Sequence, residues 1–428
     1  MRRSDWLVTH RGRHVPADRR AGRSAHRAGR CAEHDPLLPQ GGPVAALEKA
    51  GMRRRLLGAG TAAGMLCAVI AAAGPAAAGV PAKTPAGPPG FRAALEQIVD
   101  DGVPGAIGLA RRGGQVVIAA SGVADVATGQ PMTARDRIRA GSITKTLVAT
   151  VVLQLAAGHR LRLSDSIARW LPGLVPHGRG ITLRELLQHT SGIFDYFNDP
   201  GFVQAFKADP TRAWRPRALV RIAVAHPPLF PPGTSFAYSN TDYVLLGLVI
   251  EKATGQPLAR QLRDRIFTPS GLRHTSLPFA NVIPPKPYAH GYLLNQPGAT
   301  GPVDITQVSP SISWAAGGLL STAPDLSRFY TALLTGRLLP PRLLRQMLTT
   351  VPIGPGTGYG LGIISLQTPC GTAWGHNGFF PGYLSNAFTT RGSGRQVIVL
   401  INADGNTLTA QQNADLAAAL AAGLCGTR

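Results

Sequence analysis

The sequence predicts an α+β fold: a five-stranded antiparallel sheet flanked by N- and C-terminal helices, with a mostly helical lobe inserted between its strands. Three observations predict it. Two strand-like runs stand near the start of the folded region, three more stand near its end, and the long segment between them has helical periodicity. Strands from both ends of the chain can join one sheet, so we expect a ligand site in the cleft between that sheet and the helical lobe.

The N-terminal region is not expected to belong to this fold. Residues 1–51 are Arg-rich without apolar periodicity, which suggests a start codon placed too early. Residues 52–78, starting at Met52, have a positive beginning, an uncharged apolar stretch and a small-residue end, the pattern of an export signal. A membrane anchor is the alternative, but the stretch is rich in Ala and Gly. Residues 79–90 are expected to be a flexible linker and residues 91–428 the folded domain of a secreted protein.

The folded region begins with a short amphipathic helix at 91–101. Two strands follow at 105–111 and 115–120, with Gly113 and Gly114 in the turn between them. Eight helical segments come next, broken repeatedly by Pro and Gly, at 146–157, 163–170, 183–189, 216–225, 242–254, 258–266, 324–335 and 341–348. Three strands and an Ala-rich helix end the chain, with the strands at 372–376, 383–390 and 396–403 and the helix at 408–424.

The chain of 428 residues has a formal net charge of +22. A large positive net charge often indicates a polyanionic partner. Here 13 of the 44 Lys and Arg residues lie in residues 1–78, and the others are interspersed, without a basic run or interleaved aromatic residues. Nucleic-acid binding is therefore not expected, and no stable protein partner is indicated. A basic protein working near an anionic cell surface is the better interpretation.

Cys370 and Cys425 are the cysteines that remain after cleavage behind Ala78. Two cysteines in an exported chain predict one disulfide, with two separate buried thiols as the alternative. The bridge would close a long loop and contribute about 4 kcal/mol in the chain-entropy description of disulfides.

A Ser-x-x-Lys sequence at 142–145 is the first chemical signal. Three residues on a helix make nearly one turn, so the Ser142 hydroxyl and the Lys145 amine share a face. Burial of that helix would lower the pKa of the lysine, and a neutral lysine can take the serine proton during attack on a carbonyl. An N-capping serine followed by a surface lysine is the alternative, but Lys145 is the only one of six lysines with a serine three residues before it.

A Tyr-x-Asn sequence, Tyr238 and Asn240, is the second signal and precedes a predicted helix. A phenol held partly ionised beside an ammonium group can relay a proton to a leaving group, and the Asn240 amide can bridge Lys145 and a substrate amide. Tyr196 and Asn198 have the same spacing, but we interpret Tyr196 as a packing aromatic.

A His-x-Gly sequence, His376 and Gly378, is the third signal and lies in a glycine-rich strand region. Glycine at a strand edge lets a substrate backbone approach and pair as an added strand. The backbone N–H groups of Phe379 and Ser142 can together form an oxyanion hole.

The three signals in this order resemble the penicillin-recognising serine hydrolases of the class C type. The likeness runs from about residue 91 to 426 and is greatest to the exocellular D-alanyl-D-alanine carboxypeptidases. It implies Ser142 as the acylated nucleophile, Lys145 as its base and Tyr238 as a proton relay. It further implies a substrate site with Trp314 as a cleft wall and with Asn240, His376, Gly378 and Phe379. The resemblance implies a peptidoglycan-type D-alanyl peptide as substrate, covalent reaction with β-lactams, and neither metal nor cofactor.

The sequence departs from these relatives where the terminal carboxylate of the substrate is held. They use an Arg shortly before the first cysteine and Thr hydroxyls in and after the His-x-Gly motif. Here residues 361–365 contain no Arg, and Asn377 and Phe379 replace the hydroxyls. Ile364 and Phe379 cannot donate side-chain hydrogen bonds to an anion. We therefore expect complete acyl-transfer chemistry with an altered carboxylate clamp.

Three functional hypotheses follow. The first is a hydrolase that cleaves D-alanyl peptides through a Ser142 acyl-enzyme. The second keeps this chemistry in an esterase, a D-amino-acid amidase or aminopeptidase, or a weak β-lactamase. The third is a non-catalytic penicillin-binding sensor, which the presence of all three motifs disfavours.

Overall fold

Strands from both ends of the chain form one antiparallel sheet in the computed structural model, which describes residues 90–280, 282–392 and 394–426. In these residues the strands are β1 (Gly105–Arg112), β2 (Gln115–Asp125), β3 (Gln130–Pro131), β4 (Ile138–Arg139), β5 (Tyr292–Leu293), β6 (Val303–Asp304), β7 (Leu320–Ser321), β8 (Val351–Gly354), β9 (Thr357–Tyr359), β10 (Ile364–Thr368), β11 (Gly371–Phe380), β12 (Tyr383–Thr390) and β13 (Gln396–Ile401). The main sheet has the order β3-β2-β1-β13-β12-β11-β10-β9-β8, and β4–β7 and β5–β6 form separate pairs.

The five predicted strands all form, and they are neighbours in the order β2-β1-β13-β12-β11. The predicted number of strands was wrong, because the main sheet of the described residues has nine. The additional strands are two to five residues long, and turns rich in Pro and Gly separate β8 from β9 and β9 from β10. Such short pieces contain too few residues to produce an alternating pattern.

The helices of the described residues are α1 (Phe91–Asp100), α2 (Ile143–Ala157), α3 (Ile167–Trp170), α4 (Leu183–Gln188), α5 (Pro200–Ala208), α6 (Pro216–Val224), α7 (Asn240–Thr254), α8 (Leu258–Leu262), α9 (Thr268–Ser270), α10 (Trp314–Gly317), α11 (Ala323–Leu334), α12 (Pro341–Met347) and α13 (Ala410–Cys425). The sequence interpretation missed α5 and the single turns α9 and α10. Helix α5 begins where the Asp199 side chain accepts a hydrogen bond from the N–H of Phe202, with Pro200 in its first turn. Within the described residues, no helix is long and apolar enough to span a membrane.

The main sheet separates two apolar layers. On one face α1 and α13 pack, and Leu95, Ile98 and Leu420 lie in the same buried cluster as Val399 of β13. On the other face lies the helical lobe, where twelve of the 15 residues of α2 are buried. A helix that is apolar all round belongs at the centre of a packed layer. Helix α2 contacts β11, which brings its N-terminal end to the sheet.

The predicted disulfide is present between Cys370 and Cys425, whose Cα atoms are 5.4 Å apart. It joins the turn between β10 and β11 to the end of α13. The alternative of two separate thiols is excluded for this pair. The segment at 1–51 that is not expected to belong to the fold, the predicted export signal at 52–78 and all but the last residue of the predicted linker at 79–90 lie outside the described residues.

Asp101 and Asp415 bring two carboxyl groups together between α1 and α13. Burial, together with the hydrogen bond to Asp101, raises the pKa of Asp415 to about 6. Because the folded protein holds this proton more tightly than the unfolded chain, the contribution to stability is lost as the pH rises through about 6. We expect Asp415→Asn to raise the Tm by about 2 °C at pH 8 and to leave it nearly unchanged at pH 3, below the ordinary pKa of the carboxyl group. Thermal unfolding at the two pH values measures this, and an equal change at both would contradict it.

Candidate active site

Ser142 stands at the start of α2, directly after a backbone position that only glycine suits. Gly141 has φ +53°, and a Cβ atom there would lie 2.6 Å from the backbone nitrogen of Phe379. Glycine therefore permits both the left-handed turn and the close approach of this turn to β11. As a result, Ser142 and the backbone of Phe379 lie side by side in the cleft, as the predicted oxyanion hole requires.

The Lys145 amine is completely buried and makes three contacts. Its Nζ lies 3.0 Å from Ser142 Oγ, 2.8 Å from Asn240 Oδ1 and 2.8 Å from the carbonyl oxygen of Ala316. Burial lowers the pKa of Lys145 to about 7, against the opposing charges of two aspartates. A neutral amine has two hydrogens and one lone pair. The two hydrogens can serve Asn240 and Ala316, which leaves the lone pair for the Ser142 hydroxyl proton.

Tyr238 lies beneath this amine, with its ring centroid 4.6 Å from Lys145 Nζ. Its phenol is also hydrogen-bonded to Ser142. Burial raises the pKa of Tyr238 well above its ordinary value, and the bond to Ser142 opposes this only in part. The sequence interpretation of a partly ionised phenol is therefore not supported. Tyr238 is a neutral hydroxyl that can accept and donate a hydrogen bond at the same time.

Asn240 is the first residue of α7 and faces two partners. Its Oδ1 accepts from Lys145, and its Nδ2 donates to Asp195 Oδ2 at 2.8 Å. The second hydrogen on Nδ2 remains for a substrate carbonyl. Asp195 was not identified from the sequence, because nothing local marks a residue 45 positions away in the chain as the partner of Asn240.

The third predicted motif lies on a sheet edge. The pairing of β10 with β11 ends at Ile364 and Gly375, so within the described residues no strand pairs with that side of β11 from His376 onward. A Cβ atom at Gly378 would overlap the carbonyl oxygen of Ala140, so the strand passes α2 only with glycine there. Phe379 is 37% exposed and follows on the same strand. This open edge is suited to an extended substrate.

The His376 side chain does not face the cleft opening. It is fully buried, and its Nε2 lies 3.1 Å from the Tyr359 hydroxyl. Burial lowers the pKa of His376 to about 3, so the ring is neutral. The predicted contact of His376 with substrate can therefore come only from its backbone. The side chain instead links β11 to β9 through Tyr359.

Trp314 was predicted as a wall of the cleft, but only 5% of the residue is exposed. Its ring lies against Gly247 of α7, where a Cβ atom would be 2.8 Å away. The backbone of Trp314 has φ +34°, a strained value for a residue with a side chain. This turn places the Ala316 carbonyl on Lys145, so Trp314 supports the site from behind.

A buried polar cluster behind Tyr238 was also missed by the sequence interpretation. His189 Nδ1 lies 2.9 Å from Asp242 Oδ2, and Ser191 Oγ donates to Asp242 Oδ1 at 2.6 Å. The His189 carbonyl accepts from the N–H of Ala237, and the His189 ring lies 4.4 Å from that of Tyr238. Residues 187–192 lie within the stretch that resembles the penicillin-recognising hydrolases, but no spacing within them marks this support of the Tyr238 loop.

The sequence predicted that Phe379 and Ile364 replace residues that hold the substrate carboxylate in related carboxypeptidases. In the structure Phe379 is partly exposed, whereas Ile364 is buried. Ile364 is only 4% exposed and belongs to the buried apolar cluster that includes residues of α1 and α13, so little of it is open to a ligand. Neither residue offers a hydrogen-bond donor in its side chain. Among the described residues, no group of His, Cys, Asp and Glu is placed to hold a metal ion.

The chain is similar to several known proteins. A sequence model of the Beta-lactamase family matches residues 91–422. A solved D-stereospecific amidohydrolase from Streptomyces sp. is 41% identical with a TM-score of 0.72, over 79% of this chain and 98% of that one. Penicillin-binding protein 4 of Amycolatopsis lactamdurans is 30% identical over 70% of this chain and 81% of its own. The putative penicillin-binding protein PbpX of Bacillus subtilis is 28% identical, and this chain covers 64% of its length, less than two thirds.

Proposed function

Since this chain belongs to the beta-lactamase family of serine hydrolases, we propose that it hydrolyses amides of D-amino acids and of short D-configured peptides through a Ser142 acyl-enzyme. The proposal rests mainly on the three hydrogen-bond contacts of the Lys145 amine. Two fixed acceptors occupy the hydrogens of a neutral amine and aim its lone pair at the Ser142 hydroxyl.

The reaction follows from these contacts. Ser142 Oγ attacks the amide carbon while its proton passes to Lys145 Nζ, and the carbonyl oxygen gains a negative charge between the N–H groups of Ser142 and Phe379. Tyr238 passes the proton now held by Lys145 to the departing amine and stays neutral itself, so the C–N bond breaks and a Ser142 ester remains. Water then attacks this ester, and the same groups move its proton in the reverse direction to release the acid.

The cleft supports a neutral group rather than a free carboxylate behind the cleaved bond. Phe379 has a partly exposed apolar side chain at the position where related carboxypeptidases have a hydroxyl. Burying a carboxylate against an apolar group without a partner is costly. The likeness to a D-stereospecific amidohydrolase supports the same substrate class.

We expect an acetylated D-Ala-D-Ala amide to be cleaved with a kcat/KM about tenfold or more above that of the free acid, because the charge-assisted contact to a terminal carboxylate is lost. The methyl ester corrects for intrinsic reactivity. Phe379→Thr is the matched variant. Its hydroxyl can donate a hydrogen bond to a carboxylate, so the ratio of kcat/KM for the amide to that for the free acid should fall. A strong preference for the free acid in the wild-type protein would contradict the amidase proposal.

The second candidate is a D-alanyl-D-alanine carboxypeptidase acting on peptidoglycan-type peptides. The likeness to penicillin-binding proteins supports it, as does the open strand edge of β11. Esterase and weak β-lactamase activity use the same acyl-enzyme, and covalent reaction with β-lactams belongs to either candidate. The kinetic comparison of free acid, amide and ester separates these candidates.

We further propose that the protein acts outside the cell. The pattern at 52–78 supports export, and a disulfide is typical of proteins that fold in an oxidising compartment.

A further inference from the structure

Asp195 is a buried carboxylate that the reaction described above does not use. It is 6% exposed and begins the short turn Tyr196–Asn198. Its Oδ2 accepts from Asn240 Nδ2 at 2.8 Å, and its Oδ1 accepts from the Phe197 N–H at 3.1 Å. The carboxylate thus receives N–H donors, as an ionised group requires.

We infer that Asp195 is a positioning residue of this site: it fixes the Asn240 amide with its oxygen towards Lys145, and its negative charge favours the protonated form of that lysine. The inference rests on the proposed function in one respect, that Lys145 is the base.

The orientation of the Asn240 amide decides what the lysine meets. An amide presents a carbonyl oxygen on one side and two N–H donors on the other. Asp195 accepts only, so it holds the donor side and turns Oδ1 to Lys145 Nζ. Without this acceptor the amide could rotate by half a turn, and two donors would then face each other. The lone pair of the lysine would no longer be aimed at Ser142.

Other titratable groups also face Lys145, and they are neutral. Burial lowers the pKa of His189 well below its usual range and that of His376 to about 3. Burial likewise raises the pKa values of the Tyr238 and Tyr243 phenols well above the usual range.

The two aspartates near Lys145 differ in their surroundings. Burial raises the pKa of Asp242 well above its usual range, and its side-chain partners are Ser191 and the neutral ring of His189. Burial also raises the pKa of Asp195, but hydrogen bonds from Phe197 and Asn240 act against this. Of the two aspartates that raise the pKa of Lys145 against burial, Asp195 therefore makes the larger contribution.

The test separates orientation from charge. Asp195→Asn keeps an oxygen that can accept from Asn240 and removes the charge, whereas Asp195→Ala removes both. We expect the pKa of Lys145 to fall by about one unit in both variants. The plateau of kcat/KM for p-nitrophenyl acetate should fall less than about tenfold in Asp195→Asn and about 100-fold in Asp195→Ala. Asp165→Asn is the matched control, because Asp165 is also 6% exposed and bonds the Trp170 indole.

Two measurements separate a change in the Lys145 pKa from a change in the catalytic rate. Carbon-13 resonances of the lysine Cε atoms report the Lys145 pKa without any substrate, and the chain has only six lysines to assign. The ester assay reports the acid limb of the pH profile. If the Lys145 pKa in Asp195→Asn is unchanged, and so equals that in the Asp165→Asn control, the Asp195 charge does not stabilise the protonated lysine and this part of the inference is overturned. Equal plateaus for Asp195→Asn and Asp195→Ala would overturn the orienting role. If the wild-type protein cleaves no ester or amide, but the Asp195 variants show the expected fall in the Lys145 pKa, only the proposed function is contradicted.

Discussion

Replacement of Ser142 by Ala is expected to reduce amide and ester turnover about 10⁴-fold or more, and to abolish covalent labelling by a penicillin. The reason is that the new bond to the acyl group forms at Ser142 Oγ, and the described cleft offers no second hydroxyl in contact with Lys145 Nζ. Intact-mass analysis after exposure to benzylpenicillin, together with ester turnover, measures both effects.

Ser166→Ala is the matched control for this experiment. Ser166 precedes α3, and its side chain makes no capping hydrogen bond there. The control should be labelled and active like the wild-type protein. If the Ser142→Ala protein still gained the mass of the bound drug, the nucleophile would have been assigned to the wrong residue.

The fold could be predicted as far as single elements produce their own pattern. The long strands β1, β2, β12 and β13 are apolar runs of six to eleven residues, and turns of Gly or Pro separate them from their neighbours. Strands β8 to β10 lack such a pattern because they are only four, three and five residues long. The short turn α10 is likewise set by packing, since Trp314 adopts a backbone conformation that its own type disfavours.

The residues of the site also differ in whether local sequence predicts their contacts. Ser142 and Lys145 could be paired from sequence because one helical turn fixes their distance. The contacts of Asp195 with Asn240 and of His189 with Asp242 join residues 45 and 53 positions apart, and only tertiary packing brings them together. No pattern of spacing encodes such pairs.

Burial was the other quantity that the sequence could not supply. Tyr238 beside an amine suggests an ionised phenol when the two are considered in isolation. In the folded protein the surrounding residues desolvate the phenol, and this desolvation outweighs the hydrogen bond to Ser142. The same desolvation has the opposite consequence for Lys145, because for a base it is the charged form that burial disfavours. One environment therefore gives a neutral acid and a neutral base next to each other.

The activity of the wild-type protein is expected to rise with pH through an apparent pKa of about 7 and then to level off. Below this pKa, Nζ carries a third proton and has no lone pair for Ser142. Lys145→Met should lose about three decades of kcat/KM and the acid limb with it, because the side chain keeps its length but has no base. The pH dependence of kcat/KM for p-nitrophenyl acetate from pH 5 to 10 measures both, with thermal unfolding as the check that the variant is folded. A flat profile for the wild-type protein, or a folded Lys145→Met variant with a wild-type rate, would remove Lys145 from the role of base, and would leave the contacts of its amine with Asn240 and Ala316 as packing alone.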